Sequence, residues 1–244
     1  MLFRSSLKFE IYIQKGDEVQ MKNTVVAIDG PAGAGKSTIS KAAAKELGFI
    51  YIDTGAMYRA VALKALINGY NARRDVQSII EMLDSTEIEI QHIDDTQNIL
   101  LNGRNVSDAI RLKEIAIPAS DISAISEVRK FLVKLQRRLA GSENVIMDGR
   151  DIGTNVLPNA DVKIFLTASI EDRAMRRFNE YKERNIECDY DKLKAEIVQR
   201  DYKDSTRAVS PLQVAKDAII IDTTGNELEK SISIIINTIK ANIA

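Results

Sequence analysis

The most explicit chemistry in the chain lies in Gly30-Pro31-Ala32-Gly33-Ala34-Gly35-Lys36-Ser37-Thr38. The spacing Gly-x4-Gly-Lys-Ser lets successive backbone N–H groups curl around phosphate oxygens, with a helix N-terminus behind them. Lys36 can reach the outer phosphates of a nucleoside triphosphate, and the Ser37 hydroxyl is a ligand type that Mg²⁺ accepts. Further along, Arg173, Arg176, Arg177 and Arg184 crowd one segment, and Arg200 and Arg207 follow. Phosphoryl transfer is catalysed mostly by positioning and by cations around the transferring group, so such a segment suits a kinase. Glu171, Asp172, Glu180 and Glu183 are interleaved, which leaves a solvated helix face as the competing reading for any single arginine. The Asn-Lys-x-Asp segment with which GTPases read guanine does not occur.

Composition narrows the alternatives. The 244 residues are 45% hydrophobic and 28% charged, and 34 Lys+Arg against 35 Asp+Glu leave a net charge of -1. A surface that binds nucleic acid electrostatically is normally more basic. No apolar run approaches the roughly 18 residues that crossing a bilayer requires. One cysteine, Cys188, and one histidine, His92, exclude an intramolecular disulfide and a cysteine- or histidine-rich metal cluster. The composition therefore implies a cytoplasmic protein without nucleic-acid or membrane partners. Its chemistry must rest on arginine, lysine, carboxylates, hydroxyls and backbone.

The elements that position these groups follow from the hydrophobic pattern. β-branched runs at 24–28, 49–52, 145–147, 162–166 and 218–221 read as buried strands. Helices are expected after Lys36 (ended by Gly48), after Gly55, over 76–83, through Val128, Phe131, Leu132, Leu135 and Leu139, and over 228–239. Between 86 and 107 the pattern alternates and contains Asn102-Gly103, which predicts a small antiparallel insert. Strands alternating with helices imply an α/β fold with a five-stranded parallel sheet covered on both faces. Gly30, Asp53-Thr54, Asp148-Gly149-Arg150-Asp151 and Asp222-Thr223 all follow predicted strands and should share one rim.

Four blocks taken together resemble the bacterial cytidylate kinases, over a stretch from about Lys22 to the C-terminus. They are Ile28 through Ser37, Asp53-Thr54-Gly55-Ala56-Met57-Tyr58-Arg59, Asp148 through Thr154, and Arg200-Asp201 with Arg207-Ala208-Val209-Ser210-Pro211. The resemblance implies a phosphate-loop core with a lobe for the acceptor monophosphate and a flexible lid, over about 169–189. The insert matches the extra piece of that lobe. It also implies ATP with Mg²⁺ as donor, CMP or dCMP as acceptor, and a monomer. The donor would be held by Gly30, Pro31, Ala32, Gly33, Ala34, Gly35, Lys36, Ser37 and Thr38, and the acceptor by Thr54, Arg59, Ser120, Arg129, Arg150, Asp151, Arg200, Asp204 and Arg207. Lys36, Asp148, Arg150, Arg173 and Arg177 would surround the transferring group, with Mg²⁺ on Ser37 and, through water, on Asp148.

The residue types suit these roles. Guanidinium forks match phosphate oxygens, which fits Arg59 and Arg150. A carboxylate such as Asp151 can accept from the cytosine amino group, while Ser120 and Arg129 can donate to N3 and O2. Arg200 and Asp204 would hold the sugar, and Arg207 would lie near phosphate or base. Some members carry Lys-Gly-Thr where this chain has Lys36-Ser37-Thr38, and Ser in place of Thr54; both differences keep or add a hydroxyl. Thr54 and Ser120 could instead be helix caps. Tyr58 packs either on the acceptor or on an apolar face. His92, Arg137 and Arg138 read as surface residues, and Cys188 as incidental.

Residues 1–21 stand apart. Leu7, Phe9, Ile11 and Ile13 alternate with polar neighbours, as in an edge strand. Alternatively Met21 is the natural start, since Lys15-Gly16-Asp17 can be encoded by a purine-rich ribosome-binding sequence.

Overall fold

The computed structural model describes residues 23–93, 96–141, 143–183 and 185–243; the alternating stretch at 7–13 and Arg184 lie outside them. In chain order the elements are β1 (Val25–Asp29), α1 (Lys36–Leu47), β2 (Ile50–Asp53), α2 (Thr54–Ile67), α3 (Val76–Met82), β3 (Ile88–Ile93), β4 (Thr96–Leu101) and β5 (Arg104–Asn105). They continue with α4 (Ala116–Ile122), α5 (Ser126–Leu139), β6 (Val145–Gly149), β7 (Val162–Thr167), α6 (Ile170–Glu183), α7 (Tyr190–Thr206), β8 (Ile219–Asp222) and α8 (Leu228–Asn242).

Five strands form one parallel sheet in the order β2-β6-β1-β7-β8. Successive side chains of a strand point to opposite faces. Val26 and Ile28 of β1 therefore pack, with Ile39 of α1 and Ile235 of α8, on one face. Ala27, with Ile52 and Met147, packs under Val133 of α5 on the other. A third core joins α2, α3, the antiparallel strands, α4 and α5 through Met57, Val61, Ile79, Ile99, Ile122 and Leu132. Helix α5 thus has one side in the sheet core and another in this lobe.

The strand ends are in register where it matters. Ile28 pairs with Asp148, Asp29 with Gly149, and Asp53 with Asp148, so the three loops that follow leave the sheet at one level. Gly30 then turns against β7. Its φ is +149°, and a Cβ there would lie 1.9 Å from the Leu166 carbonyl oxygen, so only glycine fits.

Strand β2 is one of the sheet's two edge strands, and the insert lies against it. Across the β3–β4 ladder His92 faces Gln97. His92 Nε2 lies 2.9 Å from the Tyr51 carbonyl oxygen, and Asp53 N–H donates to Gln97 Oε1 at 2.9 Å. Two side chains thereby satisfy outward-facing backbone groups that an edge strand leaves open. His92 is exposed, as expected of a surface residue, yet it holds this edge.

The sequence pattern does not anticipate a π-helical turn at Ile152–Val156, directly after Asp151. Arg137 is exposed, but its guanidinium donates to the carbonyls of Val156 (2.9 Å) and Asn155 (2.8 Å) and so fastens that turn.

Candidate functional site

The Gly30–Thr38 stretch is a loop running into α1, as its spacing requires. Lys36 is buried, and its ammonium donates to the Pro31 carbonyl at 2.8 Å. Burial, and next the positive charge of Arg150, bring its pKa well below the usual lysine value, against the opposing pull of Asp148. Ser37 and Thr38 are exposed.

Two arginines of α6 hold the loop from behind. Arg173 is buried; it donates to the carbonyls of Ala32 (2.9 Å) and Ala168 (3.0 Å) and pairs with Asp201 of α7. The Ala32 N–H donates in turn to Asp201 at 3.3 Å. Arg176 donates to the carbonyls of Ala34 (3.4 Å) and Thr223 (2.7 Å). Arg173 is thus a brace of the loop rather than a free cation. Arg177 donates to the Tyr181 hydroxyl at 3.2 Å and lies over that ring.

Asp148 is buried at the end of β6. The Tyr51 hydroxyl donates to it at 3.1 Å, and the Ser37 hydroxyl faces both groups. Burial, and then the charge of Asp53, push its pKa up to about 7. Thr54 does not cap α2, because Asp53 does so by accepting from the Ala56 N–H at 3.0 Å. The Thr54 hydroxyl donates instead to the Asp148 carbonyl at 2.7 Å, stitching α2 to β6. Gly149 makes that approach feasible, since a Cβ there would meet the Thr54 hydroxyl at 2.7 Å.

Beyond this lies a cluster of arginines and aspartates. Asp151 is buried between Arg129, with which it makes a short ion pair, and Arg207 at 3.4 Å, and it accepts from Asn155 at 3.0 Å. Arg150 pairs with Asp204 at 3.0 Å, and Arg200 reaches the same carboxylate at 4.0 Å. Burial opposes ionisation of Asp204, but Arg150 and Arg200 outweigh it and hold its pKa below the usual carboxylate range. Burial and the neighbouring Arg150 lower Arg200 to about 10, and its buried Nε has no hydrogen-bond partner. Arg129 lies over the Tyr58 ring with its carbon 5.5 Å from the centroid. Burial lowers its pKa, and Tyr58 and Asp151 more than restore it.

Arg59 donates to the Ile110 carbonyl at 3.2 Å. Ser120 lies within α4, half-buried and not at its cap. Among the described residues no group of three or more His, Cys, Asp or Glu could hold a metal by itself. No helix there is long and apolar enough to cross a membrane. Tyr51, Asn155 and Asp201 also belong to the site without standing out in the sequence, as does the bracing role of Arg176. Only Asp201, beside Arg200 in a quoted block, carried a signal that could have found it.

Sheet, phosphate loop and basic cluster define an α/β phosphate-loop kinase. The cytidylate kinase family model matches residues 26–241. A cytidylate kinase of Caldicellulosiruptor saccharolyticus is 55% identical over 86% of this chain and 92% of its own length. That of Alkaliphilus oremlandii is 50% identical over 90% and 99%, and that of Leuconostoc mesenteroides 48% over 92% and 100%. A crystal structure of an uncharacterized protein from Eubacterium ventriosum shares the fold, with a TM-score of 0.50 and 12% identity over 90% of this chain and 99% of that one. The chain belongs to the cytidylate kinase family, and it is a nucleoside monophosphate kinase.

Proposed function

We propose that the enzyme transfers the γ-phosphoryl group of ATP to CMP or dCMP, giving ADP and CDP or dCDP. The observation that carries this reading is Arg150. Its charge acts on Lys36 in the phosphate loop, while its Nε is bonded to Asp204 in the acceptor cluster. A guanidinium in that place lies between donor and acceptor phosphates, where charge is redistributed during transfer.

The loop backbone and Lys36 hold the donor phosphates. An oxygen of the acceptor phosphate attacks the γ-phosphorus, and the bond to the β-bridging oxygen breaks as ADP leaves. That oxygen is already anionic at neutral pH, so no side chain is required as a base. Arg59 and Arg150 orient the acceptor phosphate, and Arg200 and Asp204 hold the sugar. A carboxylate has about four acceptor sites. Asp151 uses three, on Arg129, Arg207 and Asn155, which leaves one for the cytosine amino group. Ser120 and Arg129 supply the donors for N3 and O2. Uracil reverses the polarity at positions 3 and 4 and leaves buried groups mismatched.

Residues fit for Mg²⁺ are present. The Ser37 hydroxyl lies beside Asp148, whose charge is disfavoured by burial and then by Asp53, so hard oxygens gather there in need of a cation. Ser37 directly, and Asp148 through water, would hold it; when bound, the ion neutralises and orients the donor phosphates. The segment 169–189 acts as the lid, excluding water as a rival acceptor, and contributes Arg177. Arg173, already engaged with Ala32, Ala168 and Asp201, fixes the loop on which the lid closes.

The test is ADP formation from ATP·Mg²⁺ with CMP, dCMP, UMP or AMP as acceptor. Fast turnover with CMP and dCMP and little with UMP is the expected result. Comparable turnover with UMP would refute the base-reading roles.

A further inference from the structure

Asp29, the last residue of β1, contributes to neither substrate site as described, yet it is a nearly fully buried carboxylate. Its Oδ1 accepts from the Ile152 N–H and its Oδ2 from the Gly153 N–H, each at 2.8 Å. These are the first two donors of the π-helical turn, and the opening N–H groups of a helical segment have no acceptor within it. The turn begins directly after Arg150 and Asp151 and carries Asn155, which donates to Asp151. Asp29 itself cannot drift, because its backbone is paired to Gly149 of β6 on one side and Phe165 of β7 on the other. Keeping a carboxylate in this place is costly: burial pushes its pKa up to about 6 in spite of both N–H bonds.

We propose that Asp29 is a positioning residue whose carboxylate fixes the Arg150–Asp151 turn and so sets the discrimination between cytosine and uracil monophosphates. The inference rests on the reading of Asp151 as the base-contacting carboxylate. Two other roles compete with it. Asp29 could act on the nearby charge of Lys36, which would change handling of ATP. It could also be a plain stability element, which would lower catalysis with every acceptor alike.

Asp29→Asn separates the three. The amide keeps the shape but turns one acceptor into a donor facing an N–H. A displacement of a reacting group by about 1 Å costs up to ~10²-fold, so the CMP-over-UMP ratio of kcat/KM should fall about tenfold, with the KM for CMP rising. The KM for ATP should stay within about threefold, because the loop backbone and Lys36 are untouched. Hydrogen exchange at the Ile152 and Gly153 amides should quicken while that of β1 and β6 does not.

An unchanged ratio in a well-folded variant overturns the inference, as does a rise in the KM for ATP matching that for CMP, or retained protection at both amides. A wild-type enzyme without preference for CMP overturns the reading of Asp151 and this inference together. Should Asp29→Asn fail to fold, Gly153→Ala carries the test. Its methyl group would lie 3.1 Å from the Lys163 stem and 3.5 Å from Asp29 Oδ2, displacing the turn without changing charge. It should lower the ratio about threefold with ATP handling intact, and an unchanged ratio would overturn the proposal.

Discussion

The donor and acceptor sides of this enzyme are built on opposite plans. On the function proposed above, the donor side is nine consecutive residues, 30–38, whose backbone would hold the phosphates and whose position is enforced from behind by Arg173, Arg176 and Asp201. On the same proposal the acceptor side is assembled from side chains on α2, α4, α5, α7 and the turn after β6; there Asp151 is paired with Arg129 and Arg207 and Asp204 with Arg150, while Arg59 rests on the Ile110 carbonyl. Lys36, the cation of the donor side, rests on a neutral carbonyl and is free to exchange it for phosphate. Arg129 and Arg150 instead rest on carboxylates, which preserve the geometry but leave those groups few alternatives. In that proposal a backbone cradle would contact phosphates alone, whereas a paired cluster would choose among bases.

Substitutions should separate the two sides. Lys36→Ala removes the one cation of the cradle and should cut kcat by about 10³-fold with every acceptor, measured as ADP release. Arg129→Met strips Asp151 of its strongest partner. It should reduce the CMP-over-UMP ratio by about 10²-fold and leave the KM for ATP nearly unchanged. An equal loss for both acceptors would erase the contrast between cradle and cluster.

Arg173→Met should blur the contrast from the other direction. It leaves the half-buried Asp201 with only the Ala32 N–H, a loss of about 2 kcal/mol in urea unfolding, and frees the Ala32 carbonyl, so the KM for ATP should rise about tenfold. If the KM for ATP holds, the α6 arginines do not brace the loop.

A pH effect sharpens the link between the sides. Asp29 has its pKa raised from 3.8 to about 6 in the fold, so its contribution to stability is fully present below about 3.8 and is lost as pH rises through about 6. The stability difference between wild type and Asp29→Asn should decline over that window in parallel unfolding experiments. The smallest effect is expected for Arg137→Met. It removes one part-buried and one exposed bond to the turn after Asp151 and should cost under about 1 kcal/mol.

The same contrast governs what the sequence discloses. The strands, the loop and α1 are local patterns, a β-branched run followed by glycines at fixed spacing, and they fold as they read. The antiparallel strands β3, β4 and β5 are equally plain in their alternation and in the Asn102-Gly103 turn between β4 and β5. The long-range bonds are not readable. Nothing in the spacing of Arg173 distinguishes a loop brace from a lid cation, because its partners Ala32 and Asp201 are distant in the chain. Asp29 reads as the end of a strand until Ile152 and Gly153 are brought to it. The role of His92 likewise depends on where Tyr51 ends up. The π-helical turn has no sequence period of its own. Thr54 and Ser120 carry the residue types of helix caps, and only their neighbours exclude that role.

The most direct test of the account is the ratio of kcat/KM for CMP to that for UMP, measured in wild type and in Asp151→Asn with saturating ATP·Mg²⁺. The amide presents a donor where the cytosine amino group needs an acceptor. The ratio should therefore collapse by about 10²-fold or more, mainly through the loss of CMP turnover, while the KM for ATP stays put. A variant that still prefers CMP as strongly as wild type would contradict the assignment of base reading to the arginine–aspartate cluster.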